Sequence, residues 1–178
     1  MPRRTLRTWF SRPLLTPELP IAVFGFLLNF VWEMWAVPFY AAIGEMRHAE
    51  AILVCTQAAF GDVLILLLAF WGASVVAGSR RWILKPGWQT SIIYLGVGVA
   101  ITMLMEFLAT EVWGRWSYAE GAPVLPLLGT GLAPLMQWLV LPALVLGLAR
   151  YHLFGAGYLA ARTGRESTVR STSSARVR

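Results

Sequence analysis

The chain has 178 residues, enough for one modest domain, and 57% of them are hydrophobic whereas only 13% are charged. A soluble globular domain carries roughly 25% charged residues, so this composition excludes an ordinary water-soluble globule. The net charge of +6 does not indicate nucleic-acid binding, because the basic residues cluster in particular loops, and the single cysteine, Cys55, excludes an internal disulfide or a Cys-Cys redox pair.

Four apolar segments are each close to the ~20 residues that a helix needs to cross ~30 Å of hydrocarbon. The spans are predicted at about 19–40, 51–77, 90–110 and 132–151. Backbone groups in lipid must be satisfied internally, so the prediction is an all-α, integral membrane four-helix bundle over residues 19–152. The first segment is interpreted as an uncleaved span, because it is long, carries Asn29 and Glu33, and lacks a small-x-small cleavage site.

The basic residues predict the orientation. The N-terminal segment 1–18 carries four arginines, the loop after the second span carries three basic residues, and the chain from Arg150 onward carries six. The loops on the other side carry only Arg47 and Arg115. This bias predicts that both termini are cytoplasmic and that the protein lies in the inner (plasma) membrane. The tail, residues 153–178, is rich in Ser, Thr and Arg and is predicted to be disordered.

Each span carries at least one polar side chain. Asn29 and Glu33 lie four residues apart on one helix face, within mutual hydrogen-bonding reach. Asp62, Glu106 and Gln137 occupy the second, third and fourth spans. From the helical rise, the three acids lie roughly 9, 16 and 7 Å below the outer ends of their helices. This agreement in depth predicts one outward-facing acidic pocket with three candidate catalytic acids.

The candidate substrate-binding residues around this pocket are Asn29, Trp32, Trp35, Arg115, Trp116, Tyr118 and Gln137. No Lys or Arg lies inside a span, so shared protons, an Arg115 lid or a bound cation are the alternatives for offsetting the acids. Each acid separately also has a structural interpretation, as a packing or interface residue. The residue types predict no metal site, although Mg²⁺ or Mn²⁺ on the three carboxyl groups stays open. No other cofactor is indicated.

Residue counts exclude several membrane chemistries. One cysteine does not suffice for a disulfide-handling enzyme, and a dual-aspartate protease needs a second aspartate besides Asp62. A membrane di-iron oxygenase needs many histidines, whereas His48 and His152 are predicted on opposite sides of the bilayer.

The stretches NFVWEMW, GD early in the second span, GRWSY and PLMQWLVLP resemble a small bacterial family of multi-pass membrane proteins with no assigned activity. The resemblance covers residues 27–150. The element N-x-x-W-E, from Asn29 to Glu33, also resembles the first acidic motif of membrane-bound terpenoid cyclases, which protonate an alkene or epoxide. That resemblance implies Glu33 as an acid, but the chain has four predicted spans instead of seven and no late aspartate.

Three functions are open at this point. The first is acid–base chemistry on a lipid or isoprenoid, in which a buried acid protonates a polyene and aromatic faces stabilise the carbocation. The second is a proton-coupled small-molecule transporter, which would act as a homodimer. The third is a non-catalytic assembly subunit whose acids pair with a partner helix. The expected partners are the lipid bilayer and an apolar or lipid-like small molecule, with no nucleic acid.

Overall fold

In the part of the chain that the structure describes, there are four long helices: α1 (Glu18–Ala36), α2 (His48–Ala77), α3 (Trp88–Phe107) and α4 (Leu132–Ala175). The structure is a computed structural model that describes residues 16–125 and 129–175, with side chains described up to residue 163. Within these described ranges, four helical segments are long and apolar enough to cross a membrane. The predicted all-α class is confirmed, since the described part of the chain contains isolated bridges but no strand. The predicted basic N-terminal segment lies almost wholly outside the described residues.

Short helical turns make up much of the connections. A 3₁₀ turn, Val37–Phe39, and a single α-turn, Ala41–Gly44, join α1 to α2. A second 3₁₀ turn, Arg80–Leu84, follows α2, and a π-helical turn, Leu108–Val112, extends α3. Gly78 ends α2 in the left-handed conformation (φ 62°), which glycine adopts without steric cost.

The helices follow one another around a ring. Both α1 and α3 pack against α2 and α4, as in an up-and-down bundle with short connections. An ion pair of 2.8 Å joins Arg80 Nη1 to Glu18 Oε1, so the α2–α3 connection lies beside the start of α1. At the opposite end of the bundle, the α1–α2 connection meets the loop between α3 and α4.

The half of the bundle near the α2–α3 connection is packed with aromatic and aliphatic side chains. The Trp82 ring lies 5.7 Å from Phe70 and 5.9 Å from Tyr94, measured between centroids. The Trp82 indole N–H donates to Ser74 Oγ at 3.0 Å, so its polar atom is satisfied within the core. Because this half is filled with side chains, a cavity that could bind a ligand is expected in the other half of the bundle.

Helix α4 is longer than the sequence predicts. The sequence places the end of its span near residue 151 and predicts a disordered tail, whereas the backbone is helical to Ala175. The prediction rests on the lack of apolar side chains to bury. An existing helix nevertheless extends at low cost, because each added residue gains a hydrogen bond, and the tail contains no proline to stop it.

Candidate functional site

Gln137 of α4 joins three helices through one amide nitrogen. Its Nε2 lies 2.9 Å from Asn29 Oδ1 and 3.1 Å from Glu33 Oε1, both on α1. The same nitrogen lies 2.9 Å from Asp62 Oδ2 on α2. An amide has two N–H groups, so three acceptors share them. The oxygens of the two carboxyl groups are therefore no more than about 6 Å apart, since bonds of 3.1 and 2.9 Å meet at one nitrogen.

This short separation matters because the surroundings are apolar. Two negative charges repel strongly at such a distance in a low dielectric. Among the described residues, neither Glu33 nor Asp62 has an ion-pair partner. The arrangement therefore favours one neutral and one charged carboxyl group over two full charges. Of the three ways of offsetting the acids, the geometry supports protonation.

Asn29 does not bond Glu33, although their spacing predicts that it could. Its Nδ2 donates instead to the carbonyl oxygen of Gly25, 2.7 Å away on the same helix. A short amide side chain on a helix readily finds a carbonyl one turn back, and this bond fixes the Asn29 oxygen towards Gln137. Gly25 itself brings α1 close to α2, since a Cβ there would lie 2.8 Å from Leu66 Cδ1.

The third acid, Glu106, has a different partner. It is only 8% exposed, and the Tyr118 hydroxyl donates to its Oε2 at 2.5 Å. Tyr118 belongs to the loop between α3 and α4, and burial together with this hydrogen bond raises the pKa of its phenol. Gly131 provides space for the ring, because a Cβ there would lie 2.5 Å from Tyr118 Cε1. Glu106 is thus a buried, bonded acid and not a solvated rim residue.

Two loop segments cover this end of the bundle. Backbone hydrogen bonds of 3.0 and 2.9 Å join residues 39–41 to residues 117–119. The Tyr40 ring lies 5.6 Å from Tyr118 and 6.3 Å from Trp116, measured between centroids. Burial raises the pKa of Tyr40. We call these paired segments, with their three rings, the aromatic cover.

The three predicted acids converge on one cavity of about 260 Å³, lined by Glu33, Asp62 and Glu106. Its wall also includes Tyr40, Thr102, Arg115, Trp116, Gln137 and Trp138. Trp138 belongs to the packed core as well, so it marks the boundary between cavity and core. It fits against α3 because residue 98 is glycine: a Cβ there would lie 2.5 Å from its ring.

Some candidates lie apart from the cavity or act differently than expected. Trp32 and Trp35 are not on its wall; they contact each other at 5.3 Å between centroids, and Trp35 is 60% exposed. At about 100° per residue, positions one and two away from Glu33 point away from the Glu33 face. Arg115 does line the cavity, but its guanidinium lies 5.9 Å from the Trp116 ring centroid. Within the described chain it forms no ion pair with the acids.

The site residues predicted from the sequence did not include Tyr40, Thr102 and Trp138, which line the cavity. Thr102 was detectable, since it lies four residues from both Gly98 and Glu106 on one face of α3. The inward direction of Tyr40 depends on the pairing of two loops, which periodicity does not encode.

Among the described residues, no group of three His, Cys, Asp or Glu side chains is placed to hold a metal ion. Comparisons with protein-family models, with curated proteins and with solved structures found no match. Any function therefore has to be inferred from the geometry of the site.

Proposed function

We propose that the chain is a multi-pass protein of the inner (plasma) membrane that carries out acid–base chemistry on a lipid or isoprenoid in its cavity. One observation carries the proposal. The amide nitrogen of Gln137 holds the carboxyl groups of Glu33 and Asp62 together, in a cavity that is otherwise mainly apolar. Such a pair can keep a proton available for donation.

The membrane location is supported by the outer surface of the bundle. Large apolar side chains are exposed there on different helices, among them Val31 (66%), Leu64 (63%), Val75 (81%) and Ile92 (59%). A contiguous apolar surface is unfavourable in water and suits contact with lipid tails. The distribution of basic residues supports an extracytoplasmic position of the cavity.

The proposed chemistry starts from one proton held by the pair of Glu33 and Asp62. One carboxyl group donates it to a carbon of an alkene or to the oxygen of an epoxide, where a new C–H or O–H bond forms. The π bond or C–O bond breaks and leaves a positive charge on carbon. A neighbouring carbon then loses a proton to the carboxylate, and the electron pair of its C–H bond forms a double bond. The product is an isomer of the substrate, so the reaction needs no oxidant or reductant.

The wall of the cavity suits a cationic intermediate. The aromatic rings of Tyr40, Trp116 and Trp138 line it, and such faces attract cations. The aromatic cover, held by the bond from Tyr118 to Glu106, limits the entry of water that would capture the cation.

A proton-coupled transporter has less support, because the packed core around Phe70 and Trp82 blocks a path to the other side.

The test compares lipid and isoprenoid extracts from strains of the source organism. The strains are wild type, a deletion, and deletions complemented with wild type, Glu33→Gln or Glu45→Gln. Glu45 is an exposed residue outside the cavity wall, so it controls for the same chemical change. Immunoblots of membrane fractions confirm equal amounts of protein.

We expect one lipid species to disappear on deletion and to return with wild type and Glu45→Gln but not with Glu33→Gln. Identical lipid profiles in all strains would overturn the proposal, as would full restoration by Glu33→Gln. In either case, proton-coupled uptake and partner pull-downs become the next measurements.

A further inference from the structure

We infer that the cavity is entered sideways from the lipid, through an opening between α2 and α3, by a long apolar chain that carries one neutral oxygen function. The identity of this molecule as a substrate rests on the proposed function, whereas the opening rests on the geometry alone. We call the opening the side entrance and define it by Gln57, Ala58, Gly61 and Met105.

The side entrance is where residues of the cavity wall are also exposed on the outside of the bundle. Gln57 and Met105 line the cavity, yet Gln57 is exposed and Met105 is 41% exposed. Between the helices at this level lies Gly61, where an added Cβ would meet nothing within 4 Å. Farther along α2 the gap closes, since a Cβ at Gly72 would lie 3.9 Å from Val97.

The depth of the side entrance points to lipid and not to water. Gln57 lies roughly 14 Å along α2 from its outer end, by the helical rise. Met105 lies roughly 10 Å before the end of the π-helical turn that extends α3, by the same rise. In the proposed orientation both positions face hydrocarbon. A molecule that arrives there comes from within the membrane.

The size of the cavity indicates what kind of molecule this is. Its volume of about 260 Å³ is below the roughly 300–1,000 Å³ that is usual for a small-molecule site. It holds one end of a long lipid but not all of it. The remainder of the chain then occupies the side entrance and continues into the bilayer.

Thr102 indicates the oxygen function. It lines the cavity and is 6% exposed, and its Oγ1 has no hydrogen-bond partner among the described residues. Other helical threonines bond the carbonyl one turn back, as Thr56 does to Ile52 at 2.7 Å. A buried hydroxyl without a partner is unfavourable, and a ligand oxygen would satisfy it. The oxygen is neutral, because the nearby acids would repel an anionic head group.

The only cysteine of the chain provides the test. Cys55 lines the cavity and is 2% exposed, so its labelling reports on access without any added cysteine. The full chain is reconstituted in lipid nanodiscs and labelled with a neutral alkyl maleimide or with a charged, water-soluble thiosulfonate. The variants are Gly61→Leu and, as matched control, Gly96→Leu. Gly96 is exposed, off the cavity wall, and a Cβ there also meets nothing within 4 Å.

We expect the alkyl maleimide to label wild type and Gly96→Leu at similar rates, and Gly61→Leu about tenfold more slowly, because a leucine fills the gap between the helices. The charged reagent should be slow throughout. Equal rates for the two glycine variants, or fast labelling of wild type by the charged reagent, would overturn the side entrance. Ala58→Leu serves the same purpose if Gly61→Leu does not fold.

A second arm tests the oxygen function with geranylgeraniol and its phosphate ester as probes. The alcohol should protect Cys55 from the maleimide in wild type and less in Thr102→Val, and the phosphate ester should protect weakly in both. Equal protection in wild type and Thr102→Val would refute the role of Thr102. Labelling involves no catalysis, so its outcome does not depend on the lipid profile of the Glu33→Gln strain. The side entrance and the proposed reaction can therefore fail independently of each other.

Discussion

At the scale of single residues, the site depends on the one amide nitrogen that Gln137 supplies to Asn29, Glu33 and Asp62. Polar contacts between helices in membranes contribute only about 0.6 kcal/mol each on average. Removing a donor that serves three buried or part-buried acceptors is more costly, because all three acceptors lose their partner together.

Gln137→Leu should therefore lower the free energy of unfolding by about 1–3 kcal/mol. The matched control is Gln89→Leu, the same change at an exposed position of α3 outside the cavity wall, which should shift it by no more than about 0.5 kcal/mol. Unfolding of both purified variants with SDS in mixed micelles measures the difference. Equal losses at the two positions would show that Gln137 does not connect the helices energetically.

Many residues of the site were predictable from the sequence, but the contacts between them were not. Glu33, Asp62, Glu106 and Gln137 stand out in sequence because polar residues are costly in apolar spans. Which of them meet depends on how the helices are ordered around the bundle, and Gln137 contacts partners 108, 104 and 75 residues away. The local spacing of Asn29 and Glu33 instead favours a direct bond that the structure does not contain.

At the scale of elements, the aromatic cover should make stability sensitive to alkaline pH. Burial and the bond to Glu106 raise the pKa of Tyr118 above its ordinary 10.0, and burial raises that of Tyr40. Because the folded state holds these protons more tightly than the unfolded state, their contribution is complete below pH 10 and is lost as the pH rises above it.

Tyr118→Phe should therefore flatten the fall in stability above about pH 10 relative to wild type. Thermal unfolding in detergent at several pH values measures this slope. Tyr151→Phe is the matched control, since that ring is 78% exposed and lies outside the cover. If Tyr118→Phe and Tyr151→Phe behave alike, the phenol of Tyr118 does not hold the cover closed.

The helices were predicted more accurately than what lies between and after them. Hydropathy located the long apolar helices because a helix that crosses lipid needs a nearly continuous apolar run. The first predicted end, residue 40, is one residue from Phe39. The pairing of residues 39–41 with residues 117–119 brings together loops distant in sequence, which carry no periodic signal. The length of α4 was missed because helix extension needs no apolar pattern.

At the scale of the whole molecule, the two halves of the bundle differ in a way that bears on function. One half contains the acids and the cavity, and the other contains the core around Phe70, Trp82 and Tyr94. Since the cavity occupies one half only, the side of the membrane that it faces decides which aqueous compartment can exchange protons with Glu33, Asp62 and Glu106. The charges of the loops predict that side.

The bias of basic residues, with only Arg47 and Arg115 at the cavity end, predicts that the cavity faces away from the cytoplasm. A fluorescent protein fused after Arg178 should therefore fluoresce, and alkaline phosphatase fused there should be inactive. Phosphatase inserted beside the exposed Glu120, in the loop between α3 and α4, should be active. The opposite pattern at both sites would place the cavity on the cytoplasmic side, and Glu33 and Asp62 would then exchange protons with the cytoplasm. The two reporters after Arg178 separate orientation from expression, because an expressed chain is positive with one of them only.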